Sequence, residues 1–219
     1  MSLLYVTTAF VFLSLLHTMH SYKVYGKKNL PKKGPYIVAS NHVSNADPIV
    51  VGCLTPFGHI YFFAKDELFH HKKWGWWFRG MKAISTNRDR RDYKAVKKAL
   101  QYLKNGKCIG VFPEGTRSTN GELGQEGGLG IGLLVEKTGA PVIPIYLVGT
   151  NKALPPGSKY KTGTPVRTYI GKRVDFSGAQ RIKDRRKRYE FFTKRVMKAI
   201  SEVKRRALRN ERMLSKGRL

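Results

Sequence analysis

A chain of 219 residues with 41% apolar side chains can bury one sizeable core, which excludes a disordered or fibrous protein. Forty-two Lys and Arg against fourteen Asp and Glu leave a net charge of +28, far beyond what solubility needs, so a large polyanionic partner is implied, either nucleic acid or an anionic membrane. The only cysteines, Cys53 and Cys108, form no C-x-x-C pair and no His cluster shows ligand spacing, so neither a disulfide framework nor a structural zinc site is expected.

From the N-terminus, Leu3 to Leu16 is apolar except for Thr7, Thr8 and Ser14. As a helix this run falls short of the roughly 20 residues needed to cross a bilayer core of about 30 Å. It has no basic n-region, and His17 to Tyr22 shows no small-residue cleavage pattern. Residues 1–20 are therefore expected to be a retained interfacial helix, although a core helix packed on the domain fits the same run.

Gly26 to Gly34 reads as a basic turn region, followed by a buried strand over Pro35 to Ser40 that ends at Asn41 and His42. A short helix over Ile49 to Leu54, a strand over His59 to Ala64, an aromatic helix over Glu67 to Phe78 and a strand over Ala83 to Thr86 come next. The clearest helix is Asp92 to Asn105, where Val96, Leu100 and Leu103 recur at helical spacing and Gly106 supplies the stop. Strands over Cys108 to Phe112, Pro141 to Val148 and Val166 to Ile170 surround a glycine-rich loop, Gly121 to Gly132, that leads into a helix. This alternation predicts an α/β fold, a central mixed and partly parallel sheet flanked by helices. From Arg181 onward, sixteen Lys and Arg face four acids, while Phe192, Val196, Ile200 and Val203 form a helical stripe. The tail is thus a basic amphipathic helix, either docked on the sheet or lying on lipid.

Two segments carry chemistry. In Asn41-His42-Val43-Ser44-Asn45-Ala46-Asp47-Pro48, a His and an Asp are five positions apart at a strand-to-helix passage. In one continuous helix they would point about 140° apart, so they meet only if the chain turns between them. If they meet, the carboxylate fixes the imidazole tautomer and makes His42 a general base for a hydroxyl. Alternatively, Asp47 before Pro48 is a helix N-cap. Phe112-Pro113-Glu114-Gly115-Thr116-Arg117-Ser118 follows an apolar strand, where open α/β sheets bind ligands. Arg117 there could grip a phosphate bidentately with help from Thr116 and backbone N–H groups, or simply pair with Glu114 in a polar turn. Arg88 also follows a strand.

Together these segments resemble the glycerolipid acyltransferases, in particular 1-acyl-sn-glycerol-3-phosphate acyltransferases of the bacterial PlsC type. Asn41 to Pro48 looks like the family's N-H-x4-D-P block, Ala83 to Arg88 its substrate-binding block, Phe112 to Ser118 its F-P-E-G-T-R-S block and Ala140 to Ile145 its V-P-V-I-P-V segment. The resemblance implies His42 as base, Asp47 as its partner, and Arg88, Glu114, Gly115, Thr116 and Arg117 as the glycerol-phosphate site. Members often carry a Gly where this chain has Lys82, and a Lys where it has Gly128. The implied reaction moves an acyl group from acyl-CoA or acyl-carrier protein to the sn-2 hydroxyl of lysophosphatidate, giving phosphatidic acid; glycerol-3-phosphate or another lysophospholipid is the alternative acceptor. No cofactor or metal is expected.

Residues 21–219 are read as one acyltransferase domain, held as a monotopic or peripheral protein on the cytoplasmic face of the cell membrane. The N-terminal helix, the tail and the cluster Lys72, Lys73, Trp74, Trp76, Trp77 and Arg79 would face an anionic leaflet, unless the tryptophans serve core packing. A nucleic-acid-binding protein would satisfy the charge, but no helix-turn-helix, zinc or RNA-binding signature is present, so nucleic acid is not expected as a partner. A Cys-His hydrolase is disfavoured because Cys108 falls inside an apolar strand.

Overall fold

Two apolar runs without alternation, Tyr36–Ser40 and Val142–Val148, are buried along almost their whole length and become the centre of the sheet, where both faces are covered. The computed structural model describes residues 2–87, 92–118, 123–124, 126–155 and 159–217. Among them the strands are β1 (Lys23–Tyr25), β2 (Tyr36–Ser40), β3 (Ile60–Lys65), β4 (Ile84–Thr86), β5 (Cys108–Val111), β6 (Val142–Val148) and β7 (Arg167–Ile170). Their order across the sheet is β1-β7-β6-β2-β5-β3-β4. The pairs from β6 through β2, β5 and β3 to β4 are parallel, β7 runs antiparallel to β6, and β1 is parallel to β7. The expected mixed sheet is thus present, and most of its pairs are parallel.

Because side chains alternate along a strand, the two faces separate cleanly. Ile37, Ala39 and Val142 meet α5 (Tyr93–Lys104), α6 (Leu129–Thr138) and α8 (Arg185–Ser215) on one face. Tyr36, Val38, Ile143 and Ile145 meet α1 (Leu3–His20) and α2 (Asp47–Gly52) on the other. The stripe Phe192, Val196, Ile200 and Val203 lies in the first of these cores, so α8 is docked on the sheet rather than offering its apolar side to lipid. Burying each such side chain contributes about 1.5–3 kcal/mol. Gly132 of α6 lets α8 approach closely, since a Cβ there would sit 2.2 Å from the Tyr189 carbonyl oxygen.

α1 continues four residues beyond the apolar run and spans 18 residues, long and apolar enough by composition to cross a membrane. One side of it, however, is fastened to the domain along its length. The Tyr5 hydroxyl donates to the Gly52 carbonyl at 3.0 Å, the Trp77 indole N–H donates to the Thr8 hydroxyl at 3.4 Å, and His20 Nδ1 lies 2.8 Å from the Thr164 carbonyl.

The aromatic helix expected over Glu67 to Phe78 is two short helices, α3 (Asp66–His70) and α4 (Gly75–Gly80). His71 is extended, and its Nδ1 accepts the N–H groups of Lys73 and Trp74 at 3.2 and 3.3 Å, which replaces the helical bonds at the break. Two residues past the end of α4 stands Lys82, whose φ of +50° lies in the left-handed region that favours glycine. A further short helix, α7 (Thr150–Ala153), follows β6.

Candidate active site

The candidate residues gather at the carboxyl ends of the parallel strands, where such sheets bind ligands. Asn41, just past β2, keeps the sheet closed there through its side chain. Its amide donates to the Leu147 carbonyl at 3.2 Å and accepts the Leu147 N–H at 2.8 Å, imitating one more rung of the ladder to β6. The main chain is then free to turn, and the next residue, His42, leaves the sheet.

The turn between His42 and Asp47 brings the two side chains together. His42 Nδ1 lies 2.9 Å from Asp47 Oδ2, and the same oxygen accepts the Val43 and Ser44 N–H groups at 2.7 Å each. Asp47 is fully buried, and although it opens α2 its carboxylate points back to the histidine loop instead of capping the helix. The Asp47 carboxylate therefore sits against the His42 ring and its loop, and not on the N–H groups of α2. With Nδ1–H directed at the carboxylate, the tautomer leaves the Nε2 lone pair to face other groups. The ring is fixed on its flat side too, by Phe112 at 4.2 Å between centroids and 20° between planes. Phe112 is followed at 6.0 Å by Phe62, which lies across Gly110; a Cβ at Gly110 would fall 2.0 Å from the Phe62 ring.

The loop after β5 wraps round the same histidine. Glu114 Oε1 accepts the His42 N–H at 2.9 Å, Glu114 Oε2 accepts the Gly124 N–H at 2.9 Å, and the Ser118 N–H donates to the His42 carbonyl at 2.8 Å. Both Glu114 oxygens therefore hold main chain, and no Glu114–Arg117 ion pair is found among the described residues. Gly115, at φ +73°, turns the loop, with Gly115 and Thr116 exposed at its tip. Arg88 lies outside the described residues.

A cavity of about 450 Å³ opens from this point, lined by His42 and Arg117 at the polar end. Its other walls are Tyr5, Thr8, Ala9 and Phe12 of α1, Ile49, Gly52 and Cys53 around α2, Ile60, Phe62, Phe63 and Ala64 of β3, and Trp77 and Phe78 of α4. Lys65, at the carboxyl end of β3, lines it as well; sequence reasoning passed over this residue because a lysine has no contrast in so basic a chain. Cys53 is a wall and not a nucleophile, since burial pushes its thiol up to about 12. Cys108 is buried with its thiol likewise raised by burial. No group of three or more His, Cys, Asp or Glu suited to a metal is found among the described residues.

The tryptophans divide. Trp77 packs against α1 and the cavity, while Trp74 and Trp76 are 58% and 56% exposed. Phe10 and Val11 of α1 and Phe57 are also exposed, and Phe10 touches Phe57 edge to face at 5.4 Å.

Known proteins resemble this chain in sequence and in fold. The chain is 33% identical over 150 residues to the chloroplastic 1-acyl-sn-glycerol-3-phosphate acyltransferase BAT2 of Brassica napus, covering 66% of this chain and 42% of that protein. It is 30% identical over 128 residues to the 1-acyl-sn-glycerol-3-phosphate acyltransferase of Bacillus subtilis, covering 58% and 62%. The chain thus spans about two fifths to three fifths of the length of these relatives. The crystal structure of PlsC, the 1-acyl-sn-glycerophosphate acyltransferase of Thermotoga maritima, superposes with a TM-score of 0.66 at 30% identity, over 90% of this chain and 78% of that one. A family model described as Acyltransferase matches residues 21–148, which contain the His42–Asp47 pair, the Glu114–Arg117 loop and most of the cavity wall, and the chain belongs to that acyltransferase family.

Proposed function

We propose that the protein transfers a fatty acyl group from acyl-CoA or acyl-carrier protein to the sn-2 hydroxyl of lysophosphatidate, giving phosphatidic acid. The observation that carries this reading is the buried His42–Asp47 pair opening, beside Arg117, into a mostly apolar cavity of about 450 Å³. The cavity suits an acyl chain, and its basic mouth suits a phosphate. The named activity of the relatives supports the same acceptor.

In this mechanism Arg117 and Lys65 hold the acceptor phosphate, with Arg88 as a third cation. His42 Nε2 takes the proton of the sn-2 hydroxyl as its oxygen attacks the thioester carbonyl, and Asp47 stabilises the imidazolium that results. The dyad-side N–H groups of His42, Val43 and Ser44 are already committed to Glu114 and Asp47. Oxyanion stabilisation therefore falls to the Gly115–Arg117 turn, where the Thr116 and Arg117 N–H groups have no acceptor among the described residues. Collapse of the tetrahedral intermediate expels the thiolate, which takes the proton back from His42.

The exposed Trp74, Trp76, Phe10, Val11 and Phe57, with Lys72, Lys73 and Arg79 nearby in sequence, form the side that rests in the cytoplasmic leaflet. α1 then lies in the interface as a monotopic anchor and not as a span.

The test is transfer of a labelled acyl group by detergent-purified protein, wild type beside His42→Ala, to lysophosphatidate, glycerol-3-phosphate and an uncharged acceptor. His42-dependent phosphatidate from lysophosphatidate is expected. Undiminished transfer by His42→Ala would overturn the dyad, and preference for another acceptor would move the substrate.

A further inference from the structure

Docking of the α8 stripe removes one explanation for the charge of the tail and leaves another face to account for. Seven cations, Lys187, Lys194, Lys198, Arg205, Arg209, Arg212 and Lys216, are all exposed, and at 100° per residue all project within about 60° of one another, opposite the buried stripe. They run along about 44 Å of helix. None of the seven makes an ion pair among the described residues, whereas Arg167, Arg188 and Arg195 elsewhere on this side are paired with Glu211, Glu136 and Asp175. Like charges in a row repel, so such a row is a standing cost to the helix unless a partner neutralises it.

The partner is not the leaflet that receives α1. α8 packs on the sheet face that carries Ile37 and Val142, and α1 packs on the face that carries Val38 and Ile143. With the exposed aromatics around α1 in lipid, the seven cations look to the opposite, aqueous side. The row is linked to the reaction site through one loop residue. Lys194 and Lys198 border an open groove of about 830 Å³ whose other wall includes Leu123, Gly124 and Gly127, and Gly124 is the residue Glu114 ties to His42.

Resting on the acyl-transfer reading above, we infer that the outer face of α8 docks the acidic surface of a soluble acyl-carrier protein, delivering the donor from the water side while the acceptor arrives from the membrane. A long, straight, unpaired row of cations fits an acidic helical surface by charge, and it steers encounter at low salt.

The experiment uses the full chain in detergent and the triple variant Lys194→Glu, Lys198→Glu, Arg205→Glu, whose side chains point to solvent. Binding of holo acyl-carrier protein is measured by fluorescence anisotropy, together with the KM for acyl-carrier protein and for acyl-CoA and binding to anionic vesicles. The expected result is a carrier affinity lowered, and a KM for acyl-carrier protein raised, by at least about tenfold. The KM for acyl-CoA, the kcat and vesicle binding stay unchanged. An equal rise for both donors, a loss of vesicle binding instead, unchanged carrier affinity, or salt-dependent capture of RNA without carrier binding would each overturn the docking. Wild-type transfer from acyl-CoA without binding of the carrier would overturn it and leave acyl transfer standing. Transfer from neither donor would instead defeat the acyl-transfer reading, and the anisotropy would still decide the docking.

Discussion

Glu114 grips the main chain of His42, not its side chain: Oε1 accepts the His42 N–H at 2.9 Å while Oε2 accepts the Gly124 N–H at 2.9 Å. A carboxylate suits this place because both of its oxygens accept, and an amide can offer only one. Glu114→Gln turns an NH2 group towards one of the two backbone donors. Loss of one charged hydrogen bond is worth about 1.5–3 kcal/mol. The expected outcome is a kcat lowered roughly tenfold to a hundredfold with the KM for lysophosphatidate nearly unchanged. A rise confined to KM would make Glu114 a substrate ligand instead.

Asp47 Oδ2 gathers three donors in a fully buried position. Asp47→Asn keeps the shape but loses the charge that favours imidazolium and holds the tautomer. A fall of about 10³- to 10⁴-fold in kcat is expected, by analogy with the same change in a Ser-His-Asp triad. Circular dichroism run beside the kinetics separates lost chemistry from lost fold.

Arg117 lines the mouth of the cavity with His42 and is exposed. Arg117→Ala is expected chiefly to raise the apparent KM for a phosphorylated acceptor. The effect should be much smaller on residual transfer to an uncharged one, a contrast that steady-state kinetics reads directly. An unchanged KM would place the phosphate elsewhere.

Lys82 occupies a left-handed position just past the end of α4, with φ +50°. A side chain there costs about 1–2 kcal/mol, and glycine gives back part of that in backbone entropy, about 0.5–1 kcal/mol. Lys82→Gly is thus expected to raise stability by roughly 0.5–1 kcal/mol in denaturant titration, whereas Lys82→Ala brings no gain because the strain stays.

His59 is stacked between Tyr5 and Tyr61, each at 4.0 Å, and burial pushes its pKa from 6.5 down to about 4. Between those values the unfolded chain binds a proton that the folded chain refuses. The histidine's contribution to stability is therefore fully present above about 6.5 and is lost as pH falls towards 4. In His59→Phe, which keeps the stack, the decline of Tm from pH 7 to 4.5 should be shallower than in wild type. Equal slopes would assign the acid sensitivity to other groups.

The sheet was legible in the sequence for a physical reason: Tyr36–Ser40 and Val142–Val148 are buried on both faces, so their apolar runs are unbroken. β1 was not legible, being only three residues, just ahead of the lysine-rich turn, that pair with β7 more than 140 positions away. The break between α3 and α4 was hidden because His71 makes it with a side-chain nitrogen, a bond that no hydrophobic period records. The cavity was beyond reach for a different reason: its walls come from α1, α2, β3 and α4, and only the folded sheet brings those segments together.

The place of α1 has a practical corollary for anyone wishing to handle the protein in water. Thr8, Ala9 and Phe12 face the cavity, while Leu3, Val11 and Leu15 face outward, on the same 18-residue helix. Clipping the helix off would unroof the cavity along with removing the greasy exterior, so truncation sacrifices part of the site for solubility. Repainting only the outward positions with polar residues would trim the exposed apolar surface of α1 and leave its share of the cavity wall in place.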